Sequence, residues 1–173
     1  MPHLNVEIKA RCPRPDAVRA ALKAAGSDFR GLDHQVDTYF ICSDGRLKLR
    51  EGTIERALIH YRRNDQAGPK KSEIALFPVG EDSATLRDLL AGALGVKVVV
   101  DKQREIHFVD NVKLHVDEVE GLGSFVEIEA IDTEGTIGEA RLREQCNEWI
   151  ERLGIRAEDL LETSYSDMLL AGE

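Results

Sequence analysis

Apolar and polar residues alternate with a period of two along much of this chain, the mark of β-strands with two unlike faces. Over residues 5–11, Val6, Ile8 and Ala10 face one way, and Asn5, Glu7, Lys9 and Arg11 the other. Over 46–50, Leu47 and Leu49 oppose Arg46, Lys48 and Arg50. Residues 57–63 form a further strand, and 98–108 a longer one that passes Lys102, Arg104 and Ile106. Over 111–121, Val112, Leu114 and Val116 oppose Lys113, His115 and Asp117. Glu127 and Glu129 share a face within 125–130, and shorter strands fit 35–41 and 73–77. Between the strands the period lengthens to that of a helix. Asp16 fits as the cap of a helix with Val18, Ala21, Leu22 and Ala25 on its apolar face, ending at Gly26. Ser83 fits as the cap of a second, with Leu86, Leu89, Leu90, Ala93 and Leu94. A third runs over about 137–153 with Leu142, Cys146, Trp149, Ile150 and Leu153 as its stripe, and short helices fit 158–162 and 165–170. The hairpin-like spacing of about eight strands predicts mainly antiparallel pairing in an α+β fold.

The sorting of charge on the polar faces is informative. A solvated face is the ordinary reading of any single strand. Here bases stand two apart at Lys48 and Arg50 and again at Lys102 and Arg104, and acids stand two apart at Glu127 and Glu129. Side chains so spaced point the same way, roughly 6.5–7 Å apart. A closed barrel would turn these faces inward onto one cavity and leave apolar outer faces for helices to cover, the inverse of a packed-core barrel. Carboxylates suit Mg²⁺ or Mn²⁺, and several Lys and Arg side chains suit a polyphosphate. Such a lumen points to metal-assisted phosphoryl or nucleotidyl transfer. No Walker-A loop, HExxH, GxSxG or dinucleotide glycine fingerprint competes with this reading.

Composition narrows the setting. The chain has 173 residues, the length of a single domain over 1–173, and the turn-rich stretches 64–69 and 133–135 are too short to divide it. Its net charge of −9 argues against a nucleic-acid partner, so an anionic substrate needs a local basic pocket. No apolar run reaches a spanning helix and the N-terminus has no signal pattern, so no membrane partner and a cytoplasmic location are expected. Cys12, Cys42 and Cys146 form no metal or CxxC pattern and read as reduced packing residues. His107 and His115 read as ordinary strand residues and Trp149 as helix-to-barrel core. Gly121 and Gly123 read as turn residues at positive φ. Tyr39 and Tyr165 fit either core packing or a place at the cavity.

Seven segments in order carry a family resemblance. They are 5–11, 35–40, 45–51, 61–65 with Gly68-Pro69-Lys70, 101–104, 116–129 (Val-Asp-Glu-Val-Glu-Gly-Leu-Gly-Ser-Phe-Val-Glu-Ile-Glu) and 164–169. The first is similar to the ExExK signature of the CYTH superfamily of class IV adenylyl cyclases and thiamine triphosphatases, the triphosphate tunnel metalloenzymes. The resemblance spans essentially the whole chain and leans toward the bacterial class IV cyclase branch. It implies an eight-stranded antiparallel β-barrel forming a tunnel, with helices packed outside. It implies divalent metal, Mg²⁺ or Mn²⁺, held by Glu7, Asp117, Glu127 and Glu129. A triphosphate would be bound by Lys9, Lys48, Arg50, Arg63, Lys70, Lys102 and Arg104, with Glu7, Lys9, Glu127 and Glu129 catalytic. Asn5 departs from the pattern, standing where the first glutamate belongs. The implied activity is conversion of ATP to cyclic AMP and pyrophosphate. An inorganic or thiamine-type triphosphatase and a non-catalytic polyphosphate-binding module are the alternatives. A homodimer is expected by family analogy alone.

Overall fold

In the computed structural model, the described residues are 3–63 and 65–173. Asn64, part of the expected 64–69 turn and of the 61–65 motif, lies outside them, as do Met1 and Pro2. Eight strands appear: β1 (His3–Arg11), β2 (Asp28–Phe40), β3 (Arg46–Gly52), β4 (Arg56–Arg63), β5 (Lys70–Pro78), β6 (Val96–Val109), β7 (Val112–Val119) and β8 (Gly123–Asp132). They close into a barrel in the order β1-β5-β4-β3-β2-β6-β7-β8, every neighbouring pair antiparallel. Closure leaves no free sheet edge.

The alternation seen in the sequence decides which way each face turns. Val6, Ile8 and Ala10 of β1 join Val112, Leu114 and Val116 of β7 and Val126, Ile128 and Ala130 of β8 in one buried cluster outside the barrel. Two helices cover it: α1 (Pro15–Ala24) through Val18 and Leu22, and α3 (Glu139–Arg152) through Leu142, Cys146 and Trp149. Burying each large aliphatic side chain there contributes about 1.5–3 kcal/mol. With that core outside the sheet, the polar faces of the same strands turn inward. Cys12 and Cys146 are buried free thiols, as expected of packing residues. Gly121 and Gly123, at φ of 81° and 96°, make the tight turn between β7 and β8.

Several elements differ from expectation. The strand expected over 35–41 begins at Asp28, where pairing with β6, interrupted by an irregularity between Phe29 and Gly31, extends a segment with little apolar alternation of its own. Helix α1 starts at Pro15, so Asp16 lies in its first turn and pairs with Arg19 at 2.7 Å instead of capping it. Helix α2 (Ser83–Leu94) starts at Ser83, whose hydroxyl donates to Glu51 at 2.9 Å, and Leu89 and Leu94 of its expected stripe are exposed. Helix α3 begins later than 137 because the Asp132 carboxylate accepts the backbone N–H groups of Thr136, Ile137 and Gly138. The helix expected over 158–162 is a single 3₁₀ turn, Ala157–Asp159. Beyond it the chain runs along β1, with Leu161 N–H donating to the Lys9 carbonyl at 2.9 Å. Helix α4 (Tyr165–Ala171) follows, opened by a reciprocal Ser164–Asp167 capping box.

Candidate active site

The inward faces line one cavity of about 430 Å³. Among the described residues its wall carries eight cationic side chains, Lys9, Lys48, Arg50, Arg56, Arg63, Lys102, Arg104 and Lys113, and five acidic ones, Glu7, Asp37, Glu55, Glu127 and Glu129. A formal surplus of three positive charges therefore sits inside a chain of net charge −9. Nine of the eleven residues singled out in the sequence line this cavity. Lys70 and Asp117 do not: the Lys70 ammonium donates to the Glu162 carbonyl at 2.6 Å, and the Asp117 carboxylate is engaged by Arg104 and Tyr165.

Two ion-pair centres organise the wall. Asp37, only 1% exposed, is shared by three cations that β2, β3 and β6 bring together. Arg50 grips it with two bonds of 2.9 Å, Lys102 donates at 2.9 Å and Lys48 at 3.0 Å. Burial would raise the Asp37 carboxyl, but Arg50, Lys102 and Lys48 override it and hold it well below the usual range. Burial pushes the Lys102 ammonium down to about 7; Asp37 opposes the shift, and Arg50, Arg104 and Lys48 add to it. Crowding of this kind is what an incoming anion relieves.

The second centre is Glu127. It pairs with Lys9 at 2.8 Å, with Arg104, and with His115 Nδ1 at 3.2 Å. Burial would raise its carboxyl, but Lys9 and Arg104 hold it well below the usual range. Arg104 also forks onto Asp117 at 2.7 and 2.6 Å, and the Tyr165 hydroxyl donates to Asp117 at 2.7 Å. The Lys9 ammonium lies 3.6 Å from the centre of the Tyr165 ring. Tyr165 thus has both roles the sequence left open, packing on Phe125 and lining the cavity. It is carried there by α4, which Arg46 docks through Ser164 at 2.6 Å and Asp167 at 2.9 Å.

Acids meet directly across β1 and β8, where Glu7 pairs in register with Glu129 and Lys9 with Glu127. Like charges opposite each other are unfavourable. Arg63 relieves Glu7 at 2.6 Å. Burial, opposed by Lys113 and reinforced by Glu127 and Glu7, raises the Glu129 carboxyl to about 7. Ligating atoms of His115, Glu127 and Glu129 lie within 4.8 Å of one another. Burial, aided by Arg104, drives His115 down to about 3, so its ring is neutral. His115, expected to be an ordinary strand residue, therefore belongs to the acid cluster. Carboxylate oxygens beside a neutral imidazole, with an acid–acid contact that Arg63 and Lys113 relieve only in part, fit a divalent cation.

Residues 3–165 match the CYTH domain family, and the chain belongs to it. A Methanocaldococcus jannaschii protein carrying the provisional name of adenylate cyclase is 27% identical, over 95% of this chain and 98% of its own. The PH1012 protein of Pyrococcus horikoshii OT3 shares the fold with a TM-score of 0.79 at 23% identity, over 94% of this chain and 98% of that one. A provisionally named adenylyl cyclase of Hippeastrum, described as having a dominant triphosphatase activity, superposes with a TM-score of 0.63 at 17% identity, over 98% and 96% of the two chains. Among the described residues, no helix is long and apolar enough to cross a membrane.

Proposed function

We propose that this protein is a divalent-metal-dependent enzyme acting on triphosphates, as an adenylyl cyclase that converts ATP to cyclic AMP and pyrophosphate. The observation that carries the reading is the surplus of lumen-facing cations opposite an acid row in one cavity. Glu7, Glu127 and Glu129 would hold Mg²⁺ or Mn²⁺, and the bound ion would neutralise phosphate charge and polarise phosphoryl oxygens. Lys9, Lys48, Arg50, Arg63, Lys102 and Arg104 bind the triphosphate, Arg with forked contacts and Lys as point charges. The ribose 3′-hydroxyl attacks the α-phosphorus, its proton passes to the acid row, and the cations stabilise the departing pyrophosphate. Asp117 and Tyr165 position Arg104, and Lys70 fixes the segment before α4. The triphosphatase reading, with water attacking the γ-phosphorus, is kept as a second one because of the activity described for the Hippeastrum relative.

Incubation with ATP and Mn²⁺ followed by chromatography separates the outcomes. Cyclic AMP with pyrophosphate is the expected product. ADP with phosphate would move the assignment to triphosphatase, and unchanged ATP would overturn the enzymatic reading.

Metal affinity should depend on pH with a definite sign. Glu129 is raised to about 7, so below that pH it is largely protonated and must lose its proton to ligate. Mn²⁺ should bind more tightly as pH rises through 7 and level off above it. Calorimetric titrations at pH 6, 7 and 8 check this, and Glu129→Gln should flatten the dependence. An affinity independent of pH in the wild-type protein would remove Glu129 from the ligand set.

A further inference from the structure

One row of the tunnel wall has polar atoms that find no partner among the described residues. Asn5 of β1, Ser72 of β5 and Arg63 of β4 are cross-strand neighbours, Asn5 paired with Ser72 and Ser72 with Arg63. Direct cross-strand neighbours stand about 4.5–5.5 Å apart at Cβ. Asn5 is 2% exposed and Ser72 0%, and all three line the cavity. Yet Asn5 Oδ1, Ser72 Oγ, and Nε and Nη2 of Arg63 have no hydrogen-bond partner among the described residues. Buried polar atoms in folded proteins are nearly always satisfied, so a cluster of orphans facing a cavity marks where a ligand completes the bonding.

The kind of ligand follows from the donors and acceptors. Arg63 offers only donors and suits a phosphate oxygen. Asn5 Oδ1 is an acceptor and needs a donor, which a fully ionised phosphate lacks. A cation is disfavoured there, because the Arg63 guanidinium lies in the same row. A hydroxyl meets both needs, donating to Asn5 Oδ1 while accepting from the Ser72 O–H.

The neighbouring rows agree with this placement. Toward Lys9, the next row on β1 and β8 is the acid pair Glu7 and Glu129. On the other side, Ile131 flanks Asn5 directly, Ile74 lies between His3 and Tyr61 in the next row, and Leu76 faces Ile59 of β4 in the row after. Leu76, 51% exposed, and Ile54, 47% exposed, mark the rim. An acid pair, then the orphan polar row, then a wall of aliphatic and aromatic side chains matches the order of phosphate, sugar and base along a nucleoside triphosphate.

We infer that Asn5, Ser72 and Arg63 form a subsite for a hydroxyl of the substrate's organic group, adjoining the phosphates, so that the tunnel selects hydroxylated triphosphate esters. The asparagine that departs from the family signature then recognises substrate in place of holding metal. The inference rests on the triphosphate reading proposed above.

Binding is measured by calorimetry with Mg²⁺ and adenosine triphosphate analogues in which both phosphoanhydride bridges are methylene, which resist cyclisation and hydrolysis alike. The ribose, 2′-deoxy, 3′-deoxy and 2′,3′-dideoxy forms are compared, with tripolyphosphate as the inorganic reference. A site built around a hydroxyl discriminates strongly against its absence, so the dideoxy form should bind at least about tenfold more weakly than the ribose form. Ser72→Ala and Asn5→Ala should each bring that ratio toward one. If tripolyphosphate binds and the ribose and dideoxy forms agree within about twofold in the wild-type protein, the subsite is overturned while the triphosphate reading stands. If neither tripolyphosphate nor any analogue binds, both fall together.

Discussion

Glu127→Gln is expected to lower triphosphate turnover by at least about 100-fold, the scale seen when one preorganised electrostatic contact is removed from a reacting site. Glu127 faces Lys9, Arg104 and His115 at once, and its ionised form is the one those neighbours favour. The amide keeps the shape and loses the charge. Metal would lose a carboxylate ligand, and Lys9 would lose its closest anion. The fold should survive, because Arg104 keeps both oxygens of Asp117 and Lys9 keeps the Tyr165 ring. Turnover read by product chromatography, alongside a thermal melt, separates chemistry from folding. Wild-type activity in a folded variant would take Glu127 out of the reacting centre.

Asp37→Asn should act in the opposite way, on stability first. Three cations share this one buried carboxylate, and two of them, Arg50 and Lys102, have side chains at most 9% exposed. Removing one partner of a buried pair costs about 3–5 kcal/mol, because the remaining charge stays desolvated. For a domain of this size that is a fall of roughly 6–20 °C in melting temperature. Arg50 would keep Glu55 at 3.3 Å, which partly offsets the loss, whereas Lys102 has no other anionic partner among the described residues. A bound polyphosphate should restore more stability to this variant than to the wild type, since it supplies the missing negative charge. A melt within about 1 °C of wild type would show that Asp37 does not hold the cation cluster together.

The barrel and most of its charged lining were legible because both are written in the period of two. Val6, Ile8 and Ala10 seek the helices, so Glu7 and Lys9 have only the lumen left, and the same holds along β7 and β8. Asp37 lies within the 35–40 segment, where nothing in the sequence marks its role. It lies on a strand with weak alternation, and its meaning appears only when register sets it opposite Arg50 and beside Lys102. Gln35, Asp37 and Tyr39, two apart on one face, were the signal available. Glu55 is hidden in the sequence for another reason. It sits in the short β3–β4 loop, where the Asp33 carboxylate accepts the N–H groups of Ile54 and Glu55, and no periodicity marks a loop residue that reaches Lys113 across the lumen. From sequence His115 reads as an ordinary strand residue because one histidine in an alternating run has no local signature. Glu127, its cross-strand partner, is what makes it part of the site. Helix starts were misplaced by a residue or two because Asp16 and Ser83 are cap-forming types whose side chains found other partners, Arg19 and Glu51.

All of these roles depend on an anion entering the tunnel, and a thermal melt tests that directly. A ligand at 100 times its dissociation constant stabilises the folded state by about 2.7 kcal/mol. For this chain length, tripolyphosphate with Mg²⁺ should therefore raise the melting temperature by roughly 5–11 °C, and sodium chloride at equal ionic strength should not. Arg50→Ala, which removes a forked cation from the wall, should abolish most of that rise. If tripolyphosphate acts no differently from salt and Arg50→Ala changes nothing, the tunnel is not a triphosphate site, and the cyclase, triphosphatase and binding readings fail together.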